Sequence, residues 1–360
     1  MAASVKIGIL NDIADFTGED PSAPEGSRPV PGDITGWIER EIDALRQSGR
    51  FDADVELIHA YALGLPSGTA EAVEHAYRQL AESGVSLIVG PAIGDNALVA
   101  TPLAEQLRMP TINWAGAERA RGRWMFQHQV GSHEDESLVI ARQMASLGRK
   151  RLAVIYDLSP IGTRHLKYLD GEARVLGMEI ATKEGISPLA DDVYDIAAMV
   201  LKAAPDGVVY LGLGLSAPAV SRALDRAGWD GPRIMNTAGL RGYHGDFAHA
   251  CNGWLYIDMH SDANSTLKAV MDRMEAPRRQ ALAVAKGHDI GRLVAEGLAR
   301  ASDFTREGVR GGLEQVKWLP AAEGHEGTLL GFGAHDRGAL HGRYLVVRQW
   351  LDGETREVAA

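Results

Sequence analysis

Short apolar runs rich in valine and isoleucine alternate along most of this chain with longer amphipathic stretches. Strands of a parallel sheet are covered on both faces and read as continuous apolar runs, so the alternation predicts β-α units. It occurs twice. In the first series, strands are expected over residues 5–10, 55–59, 87–89 and 111–113, with helices over 34–47, 69–83 and 96–106. Gly84 and Pro110 stand where a helix should stop and a strand begin. The second series predicts strands over 152–156, 179–183, 208–211 and 233–235 and helices over 163–176, 193–203 and 217–227. Residues 126–130 between the series read as a crossover from one lobe to the other. Beyond residue 257 the pattern turns helical, near 265–274, 281–301 and 305–316, before a last strand over 344–350. Residues 15–31 are too rich in Pro, Gly and Ser for regular structure and follow the first strand, at the carboxyl edge of its sheet. The fold class expected is α/β, with two doubly wound parallel-sheet lobes. Open sheets of this kind bind ligands outside the carboxyl ends of their strands.

Bulk properties narrow the function. The chain has 360 residues, and single cores stop growing at roughly 250–300. A net charge of −11 disfavours binding to a phosphate backbone, so nucleic acid is not an expected partner. Cys251 is the only cysteine, which excludes an internal disulfide and a cysteine-based zinc cluster; small apolar packing is its expected role. No apolar run reaches the ~18–20 residues that span a bilayer, so membrane insertion is not expected. The first strand starts within a few residues of Met1, leaving no room for a secretory leader. The sequence as written is expected in the cytoplasm, or exported if a leader was removed.

Ordered segments then point to a family. Leu87-Ile88-Val89-Gly90-Pro91, Met109-Pro110-Thr111-Ile112-Asn113, residues 150–157, residues 205–212, residues 223–229 and Gly331-Phe332-Gly333-Ala334-His335-Asp336-Arg337-Gly338 resemble, in order and spacing, the type I periplasmic binding proteins of the leucine/isoleucine/valine-binding family. These are the solute receptors of ABC transporters. The resemblance covers nearly the whole chain. It implies three passages of the chain between lobes, near Gln129, Trp254 and Gly331, and a hinged cleft that traps a small molecule. The lobes would comprise residues 1–129 with 256–329, and 130–255 with 330–360. The partner would be a transporter permease or, for a cytoplasmic amide-sensor type, a regulatory protein.

Amino-acid-binding members hold the ligand carboxylate with hydroxyl-bearing turns after the third and fourth strands, and the ammonium with a tyrosine and an acid from the second lobe. Carried over position by position, the first turn here is Ala92-Ile93-Gly94-Asp95-Asn96, with Asp95 where a serine is expected. The second is Asn113-Trp114-Ala115-Gly116-Ala117, with Ala117 in place of threonine. Ile161 takes the tyrosine position and Ala238 the acidic one. A buried ion without its partner is costly, so the resemblance implies a ligand that is not a free amino acid. Trp114, Ile161, Leu213 and Ala238 describe a more apolar or aromatic-friendly wall, with Asp95 and Asn96 as anchors for an amide-like group. Phe16 and Tyr243 lie on loops expected to reach the ligand. Each has a structural reading as well: Trp114 as packing under the sheet edge, Asp95 as a helix N-cap, and Ile161, Leu213 and Ala238 as core.

No enzyme and no cofactor are expected. Gly212-Leu213-Gly214-Leu215-Ser216-Ala217 has the local form of a dinucleotide turn, but such a turn normally opens its domain, whereas here it falls late in the second series. A dinucleotide-dependent enzyme using residues 212–217 is the alternative it supports. The histidines, among them His128, His133, His244, His249, His325, His335 and His341, show no ligand spacing and are expected to bond at surfaces or in loops, with no metal. The common hydrolase and kinase signatures are absent. Between the two series there is architectural similarity without a residue-level repeat.

Overall fold

A parallel sheet and a mainly parallel one form where the two β-α series were expected. The computed structural model describes residues 4–12, 34–129, 132–243 and 245–358. The chain divides into two units, Met1–Val130 with His260–Tyr344 and Gly131–Met259 with Leu345–Ala360, so it passes between them three times.

Unit 1 begins with β1 (Ser4–Asn11), α1 (Ile34–Gln47), β2 (Asp54–Tyr61), α2 (Ala70–Glu82), β3 (Leu87–Val89), α3 (Gly94–Leu107), β4 (Thr111–Asn113) and β5 (Met125–Gln127). Its five-stranded sheet has the order β2-β1-β3-β4-β5, every pair parallel. Leu10 and Ile88 join Val73, Tyr77 and Leu80 of α2 and Leu103 of α3 in one core cluster. Ile7 and Ile9 are equally buried but point to the opposite face, so both faces are covered, as the unbroken apolar strands require. The crossover segment expected at 126–130 begins instead as strand β5. Its polar Gln127 is buried and bonded, a state that composition does not reveal.

Unit 2 opens with α4 (Ser132–Ser146), β6 (Arg151–Asp157), α5 (Pro160–Val175), β7 (Glu179–Ile186), α6 (Tyr194–Lys202), β8 (Gly207–Leu211), α7 (Ala217–Arg226), β9 (Arg233–Met235), α8 (Phe247–Ala250) and β10 (Leu255–Asp258). Ser159 starts α5, accepting from the Gly162 amide at 3.1 Å, with Pro160 in the first turn where its missing N–H costs nothing. The chain returns to unit 1 through α9 (Ser265–Met274), α10 (Ala281–Ala299), α11 (Arg306–Glu314), β11 (Leu319–Pro320), β12 (Leu329–Leu330) and β13 (Leu340–His341). It closes in unit 2 with β14 (Val346–Leu351) and β15 (Glu354–Glu357). The unit 2 sheet runs β15-β14-β10-β9-β8-β6-β7, with the last two strands of the chain antiparallel to their neighbours.

Two boundaries differ from expectation. Residues 256–259 stay in unit 2 because β10 pairs with both β9 and β14. Residues 330–344 stay in unit 1 because β12 pairs with β11 and β13, and the Ala339 amide bonds to Gln127 at 2.8 Å. In unit 1, α1 packs on the almost wholly buried α10. A Cβ at Gly287 would lie 2.1 Å from Trp37 Cδ1, so the close approach of these helices requires glycine there. No helix among the described residues is long and apolar enough to cross a membrane.

Candidate functional site

In unit 1 the strand order reverses between β1 and β3, and the segments leaving those two strands meet at the carboxyl edge of the sheet. Asp12 follows β1, and residues 90–93 lead from β3 into α3. The Asp12 carboxylate accepts from the Ala92 amide at 2.8 Å, the Ile93 amide at 3.0 Å and Asn96 Nδ2 at 2.9 Å. Amides at a helix N-terminus form a natural anion site, and here the anion is the protein's own. Burial raises the Asp12 carboxyl above its ordinary range, against the pull of those hydrogen bonds. Asn96, fully buried, also accepts from the Leu65 amide at 2.9 Å.

Beside it, the turn after β4 folds back on itself. Asn113 Nδ2 donates to the Ala120 and Phe126 carbonyls, and Gln127 Nε2 donates to those of Ala115 and Ala117 at 2.5 and 2.9 Å. Ala115 and Ala117 thus face inward, clustered with Ala97 and Ala120, while Trp114 remains half-buried.

The same device stands in unit 2, whose parallel strands follow the equivalent order β7-β6-β8-β9-β10. Asp157 ends β6, and its carboxylate accepts from Tyr210 Oη at 2.7 Å and from the Leu213 amide, in the turn after β8, at 2.8 Å. Burial pushes the Asp157 carboxyl up to about 6, with Tyr210, Leu213 and Arg241 opposing. Around it, Asn236 exchanges hydrogen bonds with the Gly212 backbone at 3.0 and 3.2 Å. Glu136 Oε2 lies 3.2 Å from His165 Nε2 and accepts from the Thr237 amide and hydroxyl at 2.8 and 3.0 Å. His133 packs against His165 with ring centroids 4.3 Å apart, and burial holds its imidazole well below the ordinary range, as do the charges of His165 and Arg164.

These aspartates are equivalent residues in the two units. Each follows or ends the first strand of its unit and accepts from the turn after the third, Asp12 from two backbone amides and Asp157 from one. Asp12 and Asp157 were absent from the expected site residues. An aspartate at the end of the first strand of both series was the available signal.

The expected site residues are placed unevenly. Asp95 is buried in the first turn of α3 rather than capping it; the cap position is Ile93, and Asp12 takes the leading amides from across the edge. Asn96 holds Asp12 and Leu65. Gly116 sits in the Trp114–Ala117 turn, half-buried. Ile161 lies in the first turn of α5 and Ala238 in a 3₁₀ turn after β9, both buried, whereas Leu213 is half-buried. Tyr243 is held elsewhere in unit 2. Its hydroxyl donates to Asp258 at 2.7 Å and its ring meets Trp350 edge-on at 5.1 Å. Phe16 lies outside the described residues, as does His244.

Two further expectations change. In the Gly212–Gly214 turn the Gly212 amide meets Asn236, the Leu213 amide meets Asp157 and the Gly214 amide meets Tyr210 Oη, so three amides that would cradle a pyrophosphate are bonded to the protein. His128 and His133, expected in surface or loop bonding, are buried, because the segments that carry them lie under later parts of the chain.

The comparisons agree with this architecture. A family model described as periplasmic binding protein matches residues 66–349, well over half of the chain. The fold is similar to a type 1 periplasmic binding protein from Bordetella pertussis, with TM-score 0.81, 15% identity and coverage of 99% of this chain and 100% of that one. It is similar to a leucine-binding protein from Thermotoga maritima, with TM-score 0.77, 16% identity and coverage of 99% and 98%. An ABC transporter substrate-binding protein from Desulfitobacterium hafniense in complex with leucine gives TM-score 0.76 at 14% identity, covering 99% and 100%. No curated protein sequence matches the chain. A family model over most of the chain places this protein in the periplasmic binding protein family, and its two β-α units have the fold of the type I members.

Proposed function

We propose that this chain is a non-catalytic receptor for a small molecule that is more apolar, aromatic or amide-like than a free amino acid. The supporting observation is the filled anion slot at each strand reversal, where Asp12 already occupies two backbone amides and Asp157 one amide and the Tyr210 hydroxyl. A ligand carboxylate brought to either position would meet a buried carboxylate instead of donors, and uncompensated buried charge is strongly disfavoured. Asp95 adds acidic character beside the first slot, and the half-buried Trp114 and Leu213 supply apolar surface at the two sheet edges. Each edge is taken by itself: Trp114 and Gly116 are the candidate contact residues of unit 1, and Leu213 that of unit 2.

The test is a thermal-shift screen of the purified chain against amino acids, primary amides, aromatic acids and dinucleotides, with hits confirmed by native mass spectrometry. A ligand that binds only the folded state raises the melting temperature as its concentration exceeds Kd. An amide or aromatic compound is expected to do so, and dinucleotides are not. Micromolar binding of leucine would overturn the reading of Asp12, Asp95 and Asp157. The same receptor serves a transporter permease if exported and a regulatory protein if cytoplasmic; recovery in the periplasmic or the cytoplasmic fraction decides between them.

A further inference from the structure

We propose that unit 1 contains a buried site for a divalent transition-metal ion of the Zn2+ or Mn2+ class, formed by His128, Asp289 and Glu323. His128 directly follows β5, Asp289 lies on α10, and Glu323 follows β11. All three are fully buried, and one ligand atom from each lies within 4.8 Å of the others.

Their hydrogen bonding leaves the cluster incomplete. Asp289 accepts one backbone amide on each oxygen, from Ala322 at 2.8 Å and Glu323 at 2.9 Å, which orients the carboxylate and leaves lone pairs for another partner. Neither oxygen of Glu323 and neither ring nitrogen of His128 has a hydrogen-bond partner among the described residues. The polar contact these two side chains make is with each other, Nε2 to Oε2 at 2.8 Å, without hydrogen-bond geometry. Buried polar groups are otherwise nearly always satisfied, so two in contact call for an occupant.

Charge points to what that occupant is. Two carboxylates and a neutral imidazole around a divalent cation sum to zero. One imidazole proton cannot balance both acids. One nitrogen and two carboxylate oxygens suit Zn2+ or Mn2+; Mg2+ and Ca2+ prefer all-oxygen shells. Ligand bonds of ~2.0–2.2 Å place donors somewhat over 3 Å apart, so His128 and Glu323 separate slightly on binding. The ion would tie the first stretch of unit 1, ending at residue 130, to its second, 260–344.

The experiment uses the full chain stripped with EDTA and titrated with Zn2+ by calorimetry and with Co2+ by visible absorption. Expected are one saturable equivalent, a Co2+ spectrum in which one nitrogen joins oxygen ligands, and a melting temperature that rises with Zn2+. Glu323→Gln and His128→Gln should each lower affinity at least ~tenfold, the scale of losing a supporting contact or more. Replacement of the exposed His335 by glutamine should leave it unchanged. Asp289→Asn serves as the second variant where either fails to give a native circular dichroism spectrum. Absence of saturable binding by the wild type at millimolar metal, or binding undiminished in these variants, overturns the proposal.

Discussion

The Asp157 cluster makes a quantitative demand on Gly212. A Cβ built on Gly212 falls 2.1 Å from Asp157 Oδ2 and 2.2 Å from its Cγ. To restore ordinary contact at about 3.4 Å, the carboxylate must move by roughly 1.3 Å. It is held on one oxygen by Tyr210 and on the other by the Leu213 amide, so a shift of that size breaks at least one hydrogen bond to a charged group. Such a bond contributes ~1.5–3 kcal/mol, and overpacking adds ~1–3. Loss of glycine's freedom in the unfolded chain offsets about 0.4–1 kcal/mol. Gly212→Ala should therefore destabilise unit 2 by roughly 1.5–5.5 kcal/mol, a fall in melting temperature of about 5–20 °C for a unit of this size. The control is Gly171→Ala within α5, where an added Cβ meets nothing within 4 Å. Helix propensity predicts a gain there of about 0.5–1 kcal/mol. Both variants are followed by circular dichroism through thermal unfolding. If Gly212→Ala melts with the wild type, the Asp157 carboxylate is not fixed by its partners and the filled-slot reading fails.

Three further outcomes follow from the buried titratable groups. Burial keeps His133 neutral in the fold, so below about pH 6.5 the unfolded chain takes up a proton that the folded chain refuses; stability falls on acidification by up to ~1.4 kcal/mol per pH unit, and an unchanged pH slope in His133→Gln would count against this. Asp157 behaves in the opposite sense, because its carboxyl is raised from 3.8 to about 6 in the folded chain. As pH falls from 6 toward 4 the folded state protonates first, so the wild type should gain up to roughly 3 kcal/mol relative to Asp157→Asn; a constant gap refutes it. Cys251, whose thiol is pushed up to about 12 chiefly by burial, should resist an aromatic disulfide reagent at pH 8 until denaturant is added, and rapid native modification would contradict that burial.

Local patterning was enough for much of the framework. The strands at Leu87–Val89, Thr111–Asn113 and Arg233–Met235 and the helices Ile34–Gln47 and Ser265–Met274 lie where apolar runs, periodicity and flanking Gly or Pro put them. Those signals act over a few residues, and a doubly wound sheet follows from repeating them. The two-residue strands β11, β12 and β13 escaped because so short a run shows no period, and β5 escaped because its polar Gln127 and the segment beyond it read as a crossover. The same holds for function. The β-α pattern marked the carboxyl edges of the strands, and the family resemblance marked the turns there, as the chemically interesting segments. Folding across long sequence separations decided that Asp12 fills one anion slot and Asp157 the other, that Asn96 and Tyr243 bond to the protein, and that His128 meets Asp289 and Glu323 in the buried interior of unit 1. Burial and hydrogen-bond satisfaction are properties of neighbours in space, which a linear pattern of residues does not record.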